Sequence, residues 1–171
     1  MESSRLQRRI IGITGAFGSG KSTAASFFQT HGYSIVTLSA PLEKEAKKRG
    51  LPLTRKVLQD LGNELRKEQG AGILMKMALE ENNSPKLVVD GLRNIGEVEE
   101  LKKIEGSTLL AIVADKMVRF DRLKKLKRRE KLTWELFNKL DLRDLGVNEK
   151  ITGLQTAFCI SLADSYIDSN D

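Results

Sequence analysis

Short apolar runs alternate along the chain with longer segments in which apolar residues recur every three or four positions. That is the pattern of parallel strands joined by crossover helices. The runs predict strands over Arg9–Thr14, Tyr33–Leu38, Lys86–Asp90, Thr108–Ala114 and Ser165–Asp168. The segments between them predict helices over Lys21–Thr30, Leu42–Arg49, Arg55–Lys67, Gly72–Glu81, Asn94–Ile104, Lys116–Arg129, Thr133–Leu140 and Asn148–Leu162. Punctuation is local: Gly32, Pro52, the Gly70-Ala71-Gly72 break, Asn83-Ser84-Pro85 and Gly106. With no repeat and no low-complexity linker, residues 1–171 read as one α/β domain. Trp134, Phe137 and Leu140, and Ile151, Leu154 and Phe158, stand at helical spacing and read as core, and Cys159 reads as a buried thiol.

Composition narrows the chemistry. The 171 residues are 40% apolar, enough for one sizeable core, and 29 Lys and Arg against 23 Asp and Glu leave a net charge of +6. Such a balance suits phosphate-bearing partners without choosing among them. One cysteine excludes an internal disulfide and a cysteine-rich zinc site. One histidine, His31, excludes most histidine-based metal and triad chemistry. The longest apolar stretch, Leu109–Ala114, is far short of a membrane span. Met1–Arg9 is polar and basic, and Ile10–Ile13 after it is too short for the apolar region of a secretory signal. A cytoplasmic, reducing location and no membrane partner are therefore expected.

One segment carries chemistry directly. Gly15-Ala16-Phe17-Gly18-Ser19-Gly20-Lys21-Ser22-Thr23 satisfies G-x-x-x-x-G-K-[ST], and it lies between a predicted strand and a predicted helix. There the backbone N–H groups and the positive end of the helix converge on phosphate oxygens, and glycines let the backbone wrap the anion. Lys21 is expected on the β and γ phosphates of ATP, and the Ser22 hydroxyl on Mg²⁺. Asp90 ends the apolar run Leu87-Val88-Val89, where a neighbouring parallel strand brings a carboxylate within water-bridged reach of the same ion. Its alternative is an ordinary turn acid.

P-loops serve many classes, so the remaining positive charge has to show what accepts a phosphoryl group. Arg55, Gln59, Gly62 and Arg66 share one stripe of a predicted helix whose other side carries Val57, Leu58, Leu61 and Leu65. This is either an acceptor-phosphate site, for which planar guanidinium groups are suited, or a solvated face. Arg93 should emerge at the strand edge where α/β sheets bind ligands, and Ser39 would contact an acceptor sugar or cap a helix. The basic cluster from Arg119 to Lys131 contains Arg122 and Arg129 on one face. It reads as a lid closing on the transferred group, as a solvated helix, or as a nucleic-acid patch, the last disfavoured by the lack of aromatics between Phe120 and Trp134.

Together with the P-loop, Asp90-Gly91-Leu92-Arg93-Asn94, the Q-x-x-G-N-E-L-R stretch at 59–66, D-x-R-D-L-G at 141–146 and C-I-x-L-A-D at 159–164 resemble the nucleoside-monophosphate-kinase-type P-loop proteins, dephospho-CoA-kinase-like or adenylate-kinase-like. The resemblance covers nearly the whole chain. It implies a three-layer α/β/α P-loop NTPase fold with a five-stranded parallel sheet of order 2-3-1-4-5, an acceptor-binding helical insert over about 41–82 and a short lid over about 122–143. It implies further that Arg93 grips the acceptor phosphate, that Arg122 and Arg129 flank the lid as catalytic residues, and that Arg143 follows it at the nucleotide. The expected activity is ATP- and Mg²⁺-dependent transfer to a small phosphorylated acceptor, a nucleoside or deoxynucleoside monophosphate. Dephospho-CoA as acceptor, and a non-kinase nucleotide-dependent ATPase that regulates or binds nucleic acid, are the competing readings.

Overall fold

The three central strands are built from near-continuous apolar runs, which is what burial on both faces of a parallel sheet requires. The structure, a computed structural model, describes residues 8–126 and 131–170. Strands β1 (Arg9–Thr14), β2 (Ser34–Thr37), β3 (Lys86–Leu92), β4 (Thr108–Val113) and β5 (Ser165–Asp168) form one sheet of order β2-β3-β1-β4-β5. Every pairing is parallel. Helices α1 (Lys21–Thr30), α2 (Ala40–Lys48), α3 (Arg55–Gln69), α4 (Ile73–Glu81), α5 (Ile95–Lys102), α6 (Lys116–Lys125), α7 (Trp134–Leu145) and α8 (Thr156–Ser161) fill the connections. The alternation of strand residues divides the core. Leu87 and Val89 join Leu74, Met75, Val98 and Leu101 on one face, while Val88 joins Ile13, Ala25 and Ile112 on the other.

Two local features prepare the functional edge. β1 and β3 lose register between Ile13 and Thr14, so that Ile13 stands opposite Asp90 and Thr14 opposite Leu92. Gly91 is the bulged residue, at φ 97, a conformation a side chain would resist. The bulge carries β3 two residues beyond the predicted Asp90. At the next turn the Asn94 side chain accepts from Gly96 N at 2.8 Å while Glu97 reaches back to Asn94 N at 3.0 Å, a capping box that starts α5.

The predicted helix Asn148–Leu162 is corrected to the six residues of α8. Asn94 Nδ2 donates to the carbonyls of Ile151 at 3.0 Å and Gly153 at 2.6 Å, and Gln155 N donates to Arg93 O at 2.6 Å. Side-chain and long-range bonds thus take backbone groups that a helix would use. The core reading fails with it for Ile151 and Phe158, which are exposed, and Trp134 is also exposed, while Leu154 and Phe137 are buried. The C-terminal part of the predicted Lys116–Arg129 helix, including Arg129, lies outside the described residues. Cys159 is buried, and burial first, with the Glu97 charge, pushes its thiol well above the ordinary range. A maleimide or disulfide reagent at pH 8 is accordingly expected to leave the native protein unlabelled and to react at once in urea.

Candidate active site

The P-loop bends from β1 into α1 by backbone freedom. Gly18 has φ 84, and a Cβ there would meet Arg119 O at 2.8 Å. Gly20, at φ 95, precedes α1 and has no side chain with which to cap it, so the first N–H groups of a ten-residue helix face the cleft. Lys21 Nζ donates to Gly15 O at 2.6 Å and Ala16 O at 3.0 Å. Its pKa is pulled down to about 7, by burial first and then by the charges of Arg93 and Arg55, with Asp144 and Asp90 opposing them.

The loop is held from behind. Arg119 of α6 donates to Phe17 O at 2.9 Å and forms a bidentate pair with the buried Asp141 of α7, its Nη2 lying 3.1 Å from Oδ2. The Phe17 ring lies under the Arg55 guanidinium, 4.5 Å from its centroid, and packs against Phe137. A residue at a variable position of the motif therefore ties the P-loop to α3 and α7.

A cleft of about 610 Å³ runs from P-loop residues 17–23 past Thr37, Ser39, Arg55, Asp90 and Arg93 to Arg122. Arg55 and Arg93 converge on Asp144 of α7, at 2.7 Å and 3.1 Å, and that carboxylate has no exposed surface. Burial pushes the Asp144 pKa up, but the charges of Arg55, Arg93 and Lys21 outweigh it and hold the carboxyl below its usual range. Burial raises Asp90, against Lys21 and Arg93, and its Oδ1 is buried without a hydrogen-bond partner. An orphaned carboxylate oxygen beside the P-loop, with the Ser22 hydroxyl at the start of α1, fits the hard-oxygen donor set that Mg²⁺ takes. Arg122 donates from Nη1 to Ser169 Oγ at 3.0 Å and from Nη2 to Ser169 O, and Ser169 Oγ donates to the P-loop carbonyl of Ser19 at 2.6 Å.

The expected site residues divide accordingly. The P-loop from Phe17 to Thr23, Ser39, Arg55, Asp90, Arg93 and Arg122 share the cleft. Ser39 precedes α2 without a side-chain cap bond, and its hydroxyl donates to Thr37 Oγ1 at 3.3 Å. Three residues go elsewhere. Arg66 is buried in an ion pair with Glu97, Gln59 is buried one helical turn below Arg55 with its amide 3.5 Å from Leu140 O, and Arg143 binds Asp60 and Glu149 at 2.7 Å each. Asp141 and Asp144 stand in the D-x-R-D-L-G segment, where the sequence assigns a role to Arg143 alone. Their i,i+3 spacing would put both on one helix face, but the predicted helix stops at Leu140, whereas α7 continues to Leu145.

The low Lys21 pKa makes a signed prediction. At pH 8 the lysine of the free protein is mostly neutral, and a polyphosphate beside it favours the charged form, so binding takes up protons. Titrating ATP calorimetrically in buffers of different ionisation enthalpy is expected to show uptake at pH 8 that disappears near pH 6. Proton release at pH 8 would contradict it.

Residues 11–143 match the family described as AAA domain. A UPF0200 protein of Methanocaldococcus jannaschii is 37% identical over 143 residues, 80% of this chain and 73% of that protein. Another, from Pyrococcus abyssi, is 33% identical over 175 residues, 95% of this chain and 88% of that one. Among solved structures, TT1252 from Thermus thermophilus is similar with a TM-score of 0.61 at 20% identity, over 96% of this chain and 90% of that one. Shikimate kinase from Acinetobacter baumannii, in complex with shikimate, reaches 0.57 at 13% identity, over 96% and 84%. At such identities the likeness is one of fold.

Proposed function

The chain belongs to the AAA domain family and to the UPF0200 proteins, and from that premise we propose that it is a phosphotransferase moving the γ phosphate of ATP, with Mg²⁺, to a small phosphorylated acceptor, a nucleoside or deoxynucleoside monophosphate. The observation that carries this reading is a second anion-binding wall: Arg55 and Arg93 line the same cleft as Lys21, on a P-loop kinase-like fold. An ATPase that only hydrolyses or signals needs no such wall facing the P-loop.

Phosphoryl transfer asks mainly for in-line positioning and for neutralising charge. In this reading Lys21 leaves the carbonyls of Gly15 and Ala16 for the β and γ phosphates, and the first N–H groups of α1 hold the β phosphate. Asp90 and Ser22 would hold Mg²⁺, which supplies charge neutralisation at the phosphates when bound. Arg55 and Arg93 would orient the acceptor phosphate, Ser39 and Thr37 would offer hydroxyls to its sugar, and Arg122, from α6, would leave Ser169 for the transferring group.

The deciding experiment is a coupled assay of ADP release with ATP and Mg²⁺ against nucleoside monophosphates, deoxynucleoside monophosphates and dephospho-CoA. Stimulation by one monophosphate names the acceptor. Stimulation by dephospho-CoA alone replaces the acceptor class, and ATP binding with no stimulated turnover overturns the reading.

A further inference from the structure

The cleft wall gathers like charges in a place where they should repel. Arg55 comes from α3 and Arg93 from the turn between β3 and α5, and both stand near Lys21. Neither arginine is drawn there by the other. What they share is the fully buried Asp144 of α7, whose Oδ1 accepts from Arg55 Nη2 at 2.7 Å and lies 3.1 Å from Arg93 Nε. Burying such a triad costs desolvation that apolar residues of similar volume avoid, so stability alone explains it poorly.

We infer that Asp144 is a positioning residue for the acceptor site: it joins Arg55 and Arg93 through one carboxylate, so that the two guanidiniums form a single anion-binding fork opposite Lys21. A guanidinium offers five N–H donors in a planar fork, so one edge can hold Asp144 while another meets phosphate. Two further contacts set the arms. The Phe17 ring supports Arg55, and the Arg93 backbone is fixed on both sides, its N–H by Glu97 Oε2 at 2.7 Å and its carbonyl by Gln155 N at 2.6 Å. Asp144 itself is below the cleft floor and touches neither substrate in this arrangement. The inference rests on the phosphotransferase reading only in taking the bound anion to be an acceptor phosphate.

The test is Asp144→Asn, which keeps the shape and removes the charge. Its first readout needs no substrate: the Nε–H resonances of arginine side chains in a nitrogen-15-labelled protein. Arg66 Nε, donating to Glu97, and Arg119 Nε, donating to Ala114 O, are internal controls for the fold. The Arg93 Nε–H, buried 3.1 Å from Asp144 Oδ1 without a hydrogen bond, is expected to change its chemical shift in the variant as the charge beside it is removed, with the resonances of Arg66 and Arg119 unchanged. The second readout is kinetic, with the monophosphate that gives the highest wild-type turnover: its KM should rise about tenfold, the size of one charge-assisted contact, while the KM for ATP stays put. An unshifted Arg93 resonance, joint loss of the Arg66 and Arg119 resonances, or tighter monophosphate binding by the variant would each overturn the inference, the last by making Asp144 a competitor of the acceptor. If no monophosphate stimulates the wild-type protein, the acceptor reading falls, and the Arg93 resonance still decides what Asp144 does.

Discussion

Lys21→Ala should lower acceptor-stimulated ADP release by about 10²–10³-fold while the protein melts at or above the wild-type temperature. The two halves of this result have one cause. In the free protein the Lys21 amine is buried and bound to two P-loop carbonyls, and burial is the largest influence on its pKa, which falls to about 7. Folding must either hold the charge there or give up the proton that the unfolded lysine keeps at neutral pH, and removing the side chain relieves that cost. In the complex the same charge would meet the β and γ phosphates, where it is needed as negative charge redistributes. The coupled assay and a thermal melt on the same preparations check both halves. Activity within tenfold of wild type would remove Lys21 from the mechanism, and a large drop in melting temperature would mean that its contacts to Gly15 and Ala16 hold the loop together.

Arg66→Met is expected to destabilise the fold by about 3–5 kcal/mol, because it strands the buried Glu97 carboxylate. Arg66 and Glu97 are 3% and 0% exposed, and their closest approach is 2.7 Å. Glu97 also accepts from Arg93 N at 2.7 Å and Asn94 N at 3.0 Å, so the pair links α3 to the start of α5 and to the backbone of a cleft arginine. For a domain of this size the loss corresponds to roughly 10 °C in melting temperature. The exposed pair Arg49–Glu64, at a similar 2.7 Å, is the control: Arg49→Met should cost less than about 1 kcal/mol. Urea unfolding measures both. A small stability loss for Arg66→Met with a large rise in acceptor KM would instead return Arg66 to the acceptor site that its sequence position suggested.

That contrast marks how much of this protein its sequence determined. The alternation of strands and helices, the P-loop between β1 and α1, and Asp90 at the end of an apolar run were all legible, because each depends on residues close together in the chain. The sheet order followed from resemblance rather than from any local pattern. Arg55 and Arg66 show where the local reading stops. They share one helical stripe, yet eleven residues of helix span about 16 Å, more than one phosphate site can use. Packing α3 against α7 and α5 put the first arginine in the cleft with Asp144 and paired the second with Glu97 in the interior. Arg143 was diverted in the same way to Asp60 and Glu149, and residues 148–155 gave up a helical conformation because Asn94, more than fifty positions earlier, binds two of their carbonyls. Periodicity says which residues share a face. Only the tertiary structure decides which charge that face meets, since the pairing of buried charges depends on partners that are distant in the chain and on the cost of leaving any one of them alone.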